Sequence, residues 1–453
     1  MWRSPLIIYF KEENHMQNYI SFVKQSLYKS IQEMSTVPWL FVKNPESDFS
    51  RKRKMDFETF FHFFISMEGR SLGTELLNHF DFSSETVTVS AFNQQRSKIL
   101  PEAFDYLFHT FTEAAIQPKT WRNYRLLACD GSDLNIPSNP DDKNTYYQST
   151  PTDKGFNQLH LNALYDVCSR TYVDAIVQNR NEKNESRACV QMIDRATMTD
   201  KNAILMADRG YENYNLFAHA QEKKWKFLIR AKDIHSNGIL SGLEKLPDES
   251  FDKEISFLLT RRQTKEIKSN PQKYKFMPTC QTFDYLPIGS KETYLIKFRV
   301  VRFLIGENSY ESIITNLSSE EFSPDVIKSL YHMRWGIETG FRELKYAIGL
   351  TNFHAKKVDY IKQEIYARLT LYNFCEIITT CIVIESPKKA RHSYQVNFTM
   401  AISICKRYLK CINFIPLNVV TLIQKYILPI RPGRQDPRKV KPQTAVGFLY
   451  RVA

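Results

Sequence analysis

The spacing of apolar and polar residues changes twice along this chain, and each change marks a different kind of structure. Up to about residue 119 the apolar residues recur at helical spacing. Residues 14–34 form a polar, helix-like stretch. Residues 55–64, with five phenylalanines, read as a helix that packs inward. Residues 71–77 read as a short capped helix. Ser90 is the expected N-cap of a helix over 91–98 that is rich in Asn, Gln, Arg and Lys. From about Trp121 the period shortens to that of strands. Strands are expected over 124–130, 157–166 and 171–178, the last two joined by a hairpin at 166–170. A helix over 184–197, a strand over 204–208, a helix over 213–223 and a strand over 226–230 follow. Residues 232–310 show short apolar runs (257–259, 293–298, 299–305) broken by Gly, Pro and Lys, which reads as a β-rich insertion. A strand over 310–316 then precedes a helix opening at Ser323-Pro324, where proline suits the first turn. Residues 351–386 continue as helix.

Two of these strands end on an acid. Leu126-Leu127-Ala128-Cys129 runs into Asp130-Gly131-Ser132, and Ala203-Ile204-Leu205-Met206-Ala207 runs into Asp208-Arg209-Gly210-Tyr211. A strand that stops at Asp and a Gly turn puts a carboxylate at the carboxyl end of a sheet, where α/β sites form. A third acid, Glu338, lies on the helix after Pro324. At about 100° per residue, Tyr331, Arg334, Glu338 and Lys345 share an arc of about 60° on that helix. The stripe borders the apolar one of Leu330, Met333, Ile337, Phe341, Leu344 and Ile348. Glu343 falls away from it and is the weaker ligand candidate. Geometry alone leaves open a plain surface salt-bridge network, because Arg334 and Glu338 are an i,i+4 pair. Two strand carboxylates and one helical one can also hold two divalent metals for phosphoryl transfer.

Tyr331-x2-Arg334-x3-Glu338-x6-Lys345 resembles the signature of bacterial insertion-sequence transposases of the IS-four type, members of the DDE superfamily. Asp130-Gly131-Ser132 is similar to that family's first motif and Ala207-Asp208-Arg209-Gly210-Tyr211 to its second. The resemblance spans roughly residues 55–380. It implies an α/β chain with an RNase H-like catalytic core over 120–231 and 311–385. The core is interrupted by the β-rich insertion over 232–310, preceded by an N-terminal helical DNA-binding domain (1–119), and followed by a helical, basic C-terminal region with a flexible tail (386–453). In such a core the first and fourth strands are parallel neighbours, which brings Asp130 and Asp208 together. The implied activity is strand cleavage at insertion-sequence ends and strand transfer into target DNA.

The resemblance implies a catalytic triad of Asp130, Asp208 and Glu338 binding two Mg2+ ions, with Mn2+ able to substitute. Arg334 and Lys345 would then hold phosphates, Arg as a planar fork and Lys as a point charge, and Tyr331 would hydrogen-bond one. Arg230, ending a core strand, is a weaker phosphate candidate. Asn93, Gln94 and Arg96 carry side chains that read base edges in a major groove, on a helix that otherwise reads as an ordinary surface helix. In the family an aromatic of the insertion stacks on a flipped base. Tyr274, Phe276, Phe283 and Tyr285 are the local candidates, though strand core is their plainer reading. His354 is expected to face DNA or to serve structure.

Composition narrows the partners. The net charge is +13, and from Ser386 to Ala453 there are thirteen Lys/Arg against one acid, Asp436, or +12 from 13 minus 1. With Arg51-Lys52-Arg53-Lys54, this fits a polyanionic partner whose affinity falls steeply with salt. The resemblance makes double-stranded DNA, as transposon ends and target, the expected partner, with a homodimer joining two ends. The eight cysteines show no Cys-x-x-Cys pair and read as reduced thiols, not a zinc site or disulfide framework. No apolar run approaches the length of a membrane span, and the resemblance implies a cytoplasmic, nucleoid-associated bacterial protein. The rival readings are a catalytically inactive, domesticated DNA-binding protein and a nuclease that cuts without joining.

Overall fold

The computed structural model describes residues 13–51, 53–197, 202–243, 246–307, 309–384, 392–410 and 417–431. The basic tail expected beyond residue 431 lies outside the described residues. Five helices come first: α1 (Glu13–Thr36), α2 (Phe57–Ser66), α3 (Leu72–His79), α4 (Val89–Arg96) and α5 (Pro101–Ala115). The stretch read as polar is amphipathic. Met16, Ile20, Val23, Leu27, Ile31 and Met34 recur every three or four residues and are all buried. Asp56 caps α2 by accepting the Thr59 amide at 2.8 Å. Helix α4 is capped by Thr88, whose hydroxyl accepts the Ala91 amide, and so starts earlier than a Ser90 cap would place it.

The sheet follows in chain order: β1 (Arg125–Ile136), β2 (Tyr146–Tyr147), β3 (Phe156–Asp166), β4 (Thr171–Asn179), α6 (Glu185–Arg195), β5 (Ala203–Ala207), α7 (Tyr214–Glu222) and β6 (Lys226–Ala231). Then come β7 (Phe251–Thr260), α8 (Lys265–Ser269), β8 (Tyr274–Phe276), β9 (Thr293–Gly306) and β10 (Ser309–Thr315). Among the described residues these strands form one ten-stranded sheet. Its order is β2-β3-β1-β5-β6-β10-β9-β7-β8, with β4 also on β3. Strands β1 and β5 pair in parallel, and so do β5 and β6. Residues 232–310 are β-rich, and β7 to β10 extend the central sheet from β6 outward. The runs 293–298 and 299–305 are a single strand. Arg299 and Arg302, which break its apolar pattern, are buried because Asp252 and Asp233 pair with them.

The last helices are α9 (Pro324–Met333), α10 (Gly336–Arg342), a π-helical turn over Glu343–Ile348, and α11 (Val358–Cys381). Beyond them lie β11 (Tyr394–Val396), α12 (Phe398–Lys410), α13 (Val419–Lys425) and β12 (Ile427–Pro429). The single helix expected after Pro324 is thus interrupted at Arg334–Trp335 and widened after Arg342. Gly349, at φ 92°, ends it. Leu126 and Ala128 of β1 face a core shared with α9, α10, α11 and the N-terminal helices. Leu127 and Cys129 face a second core built with α6 and α7. Among the described residues no helix is long and apolar enough to cross a membrane.

Candidate active site

Strand alternation decides where the first two acids point. Leu126 and Ala128, like Ile204 and Met206, lie on the α9–α10 face of the sheet. Continuing at period two, Asp130 and Asp208 fall on that same face. Cys129 pairs with Ala207 in the parallel β1–β5 ladder, so the next step sets Asp130 beside Asp208. Asp208 lies just past β5, at the start of a 3-10 turn over Arg209–Tyr211. Asp130 does not end its strand, as the sequence suggests. Strand β1 runs on to Ile136, because polar residues of β3 continue the ladder where the apolar run stops. Asp133 faces His160, and Gln158 donates to Asn135 at 3.1 Å.

Helix α10 brings the third acid. A Cβ on Gly340 would lie 3.0 Å from the Tyr165 ring, so glycine there lets the helix sit close to β3. Glu338, on α10, accepts from Arg334 Nη2 at 2.9 Å, while Arg334 Nη1 lies 3.9 Å from Asp130 Oδ2. One buried guanidinium therefore joins two of the three carboxylates. Its Nε–H is buried without a partner among the described residues. Such a group costs about 1–3 kcal/mol and is the kind tolerated at functional sites. Tyr331 donates to Asp208 Oδ1 at 3.3 Å. Burial raises the Tyr331 hydroxyl pKa, so it stays a neutral donor. Arg230 lies 3.6 Å from Asp208 and 3.0 Å from Glu311, near the site but already paired. Lys345, on the π turn, donates to the Asp133 carbonyl at 2.8 Å.

The carboxylates remain open to solvent: Asp130, Glu338 and Asp208 expose 26%, 32% and 37% of their side chains. Burial nevertheless raises the Asp130 pKa well above its ordinary 3.8, to about 6. The Gly131 amide, 2.8 Å away, and Arg334 oppose the shift, while Glu338 and Glu185 add to it. Among the described residues no three acid, histidine or cysteine side chains form a group that could hold an ion as they stand. Arg334 supplies the positive charge between Asp130 and Glu338. The hard oxygen donors suit Mg2+ or Mn2+, and Asp130, Asp208 and Glu338 are the residues that would hold them.

The Asp130 shift predicts a stability effect. The folded pKa lies above the unfolded one, so ionising Asp130 destabilises the fold. The cost is absent below about pH 4, grows to about pH 6 and is constant above it. In chelator, Asp130→Asn is expected to be more stable than the parent at pH 7.5 by about 2–3 kcal/mol, from a shift of about two units at 1.36 kcal/mol each. The gain is expected to vanish at pH 4, as read by urea midpoints.

A family model described as a transposase DDE domain matches residues 121–374, more than half of the chain. The chain belongs to the transposase DDE domain family. That family comprises DNA-cleaving, metal-dependent enzymes. All three acids of this transposase-family chain lie inside the matched span. A search of curated proteins finds no match to the chain. Among solved structures it is similar to one described as a cryo-EM structure of piggyBac transposase synaptic complex with hairpin DNA. The TM-score is 0.42 and the identity 10%, with 95% of this chain and 88% of that one covered.

Other candidates are placed elsewhere. Asn93 and Gln94 are exposed on α4, but Arg96 is 1% exposed and turned into the core. Its guanidinium bonds Gln363, Glu364 and the Tyr360 carbonyl of α11, so it does not read bases. Glu343 points away from the acids, to Arg170 and Tyr372. His354 is buried against Glu364, which is its structural role. Phe283 is buried, and Tyr285 packs on His219 and Tyr294. Sequence reasoning missed Asp133, His160 and Glu185, which cluster behind Asp130. The signal was the polar residue Asp133, just past the apolar run, which pairs with His160 across the β1–β3 ladder.

Proposed function

We propose that this transposase-family protein is a cut-and-paste DNA transposase of the insertion-sequence, IS-four type, with an RNase H-like core and a triad of Asp130, Asp208 and Glu338. One observation carries the reading. Two strand carboxylates and one helical carboxylate, 78 (208 − 130) and 130 (338 − 208) residues apart in sequence, face one open side of the sheet, linked through Arg334 and Tyr331. The antiparallel β1–β3–β4 run, followed by β5 in parallel with β1, supports the RNase H-like assignment. Bound Mg2+ ions would activate water or a DNA 3′-hydroxyl and stabilise the leaving oxygen in an in-line displacement. The three carboxylates would hold those ions. Arg334, freed from one carboxylate, offers its fork to a phosphate, and Lys345 adds a point charge at the edge of β1. Tyr331 keeps Asp208 oriented by its hydrogen bond.

The partners proposed are double-stranded DNA ends and target, joined by a dimer of the protein. The test is an excision and joining assay on a plasmid that carries the gene with its native flanking DNA, in Mg2+. Excised flanks and products joined to a second plasmid are expected. Cutting without joining would make the protein a nuclease, and binding without cutting a domesticated DNA-binding protein.

A further inference from the structure

The residue that follows Asp130 has no room for a side chain. A Cβ on Gly131 would collide with Nε2 of His160 and lie 2.8 Å from its Cε1 and 3.0 Å from Glu185 Oε1. Period-two alternation puts Gly131 and His160 on the α6–α7 face, opposite Asp130. The imidazole is fixed from both sides. Nδ1 lies 2.5 Å from Asp133 Oδ1, and Nε2 lies 3.1 Å from Glu185 Oε1 in an ion pair, not an aligned hydrogen bond. Lys183 bridges the same two carboxylates at 3.3 and 3.4 Å. From the other face, Lys345 bonds the Asp133 carbonyl. The amide of this same glycine donates to Asp130 Oδ1 at 2.8 Å.

We infer that His160, clamped by Asp133 and Glu185, is a positioning residue: it seats the Gly131 peptide and thereby sets the orientation of the Asp130 carboxylate. The inference rests on the proposed role of Asp130. It assigns a function to a buried histidine outside the proposed triad. The energetic logic is that a carboxylate displaced by about 1 Å loses about 100-fold in rate. A rigid ring against a bare α-carbon is a means of preventing that displacement.

The experiment is nicking of a supercoiled plasmid bearing the gene and its flanking DNA, in Mg2+, with thermal midpoints measured on every variant. Gly131→Ala is expected to lose about 100-fold. His160→Ala is expected to raise the half-saturating Mg2+ concentration, and His160→Gln, which keeps a donor toward Asp133, to restore much of it. Removing the ring makes room for the new methyl, so Gly131→Ala/His160→Ala is expected to recover at least about tenfold over Gly131→Ala. A folded double variant no more active than Gly131→Ala overturns the inference. So does His160→Ala with unchanged Mg2+ dependence, a readout that stands even if Gly131→Ala does not fold. Asp130→Ala serves as control. If it nicks like the parent, the site reading itself fails, and this inference with it. If it is inactive while the double variant does not recover, the positioning role alone is wrong.

Discussion

Replacing Asp130, Asp208 or Glu338 by alanine, one at a time, is expected to abolish DNA cleavage while leaving DNA binding within a few-fold of the parent. Metal-centred stabilisation of phosphoryl transfer is worth several kcal/mol. At about 1.36 kcal/mol per decade, a loss of at least about 1,000-fold in rate follows for each. The three losses are not expected to add, because the acids act as one unit and the first removal takes nearly all of the effect. Folding argues in the same direction. Asp130 is held ionised against burial, and Arg334 Nε is buried without a partner among the described residues, so neither residue is placed for stability. Asp130→Ala is therefore expected to melt at or above the parent temperature. Two measurements check this: nicking rates in Mg2+ and gel-shift affinity in chelator. A variant that still nicks within tenfold of the parent removes that acid from the site, and a triple variant that nicks removes the site.

The elements with regular periods were legible in the sequence. The strands around Asp130 and Asp208, the helices between them and their order all follow from apolar runs bounded by caps, because local pattern and tertiary burial agree there. The facing of the two aspartates also follows from alternation once one residue of each strand is assigned a side. What escaped depends on pairing between distant segments. The extension of β1 to Ile136 is stabilised by β3 and not by its own composition. The break at Arg334 and the π turn carrying Lys345 are invisible to a wheel that assumes one ideal helix. Likewise, the ring against Gly131 is known only when the β1–β3 register is. Charged residues misled most. Arg299 and Arg302 interrupt an apolar run and Arg96 reads as a base reader, yet all three are buried with acid partners, a pairing no single-segment pattern contains.

Arg96 offers the second large effect, on stability. Its guanidinium lies 2.9 Å from Glu364 and stacks near the rings of Phe64 and Tyr360, at 4.8 and 4.9 Å. Both partners expose about 2% of their side chains. Burial raises the pKa of Glu364, but Arg96 and the side chain and amide of His354 outweigh it and hold the carboxyl down at about 2. Arg96→Ala leaves that carboxylate buried without its cation, which costs about 3–5 kcal/mol. The pH dependence has a definite sign. In the parent the pair stabilises above the ordinary Glu value of 4.5, and the effect is lost as pH falls toward 2. In Arg96→Ala the Glu364 pKa rises, so the deficit is largest near pH 7.5 and shrinks as the pH falls and the carboxyl takes up a proton. Arg96→Met/Glu364→Leu, which removes both charges and keeps the volume, is expected to be far less destabilised than either single truncation. Urea midpoints of the four proteins at pH 4.5 and 7.5 test the cycle. If Arg96→Ala keeps the parent midpoint and instead weakens binding to one DNA sequence over others, the side chain reads bases after all, and the contact between α4 and α11 is incidental.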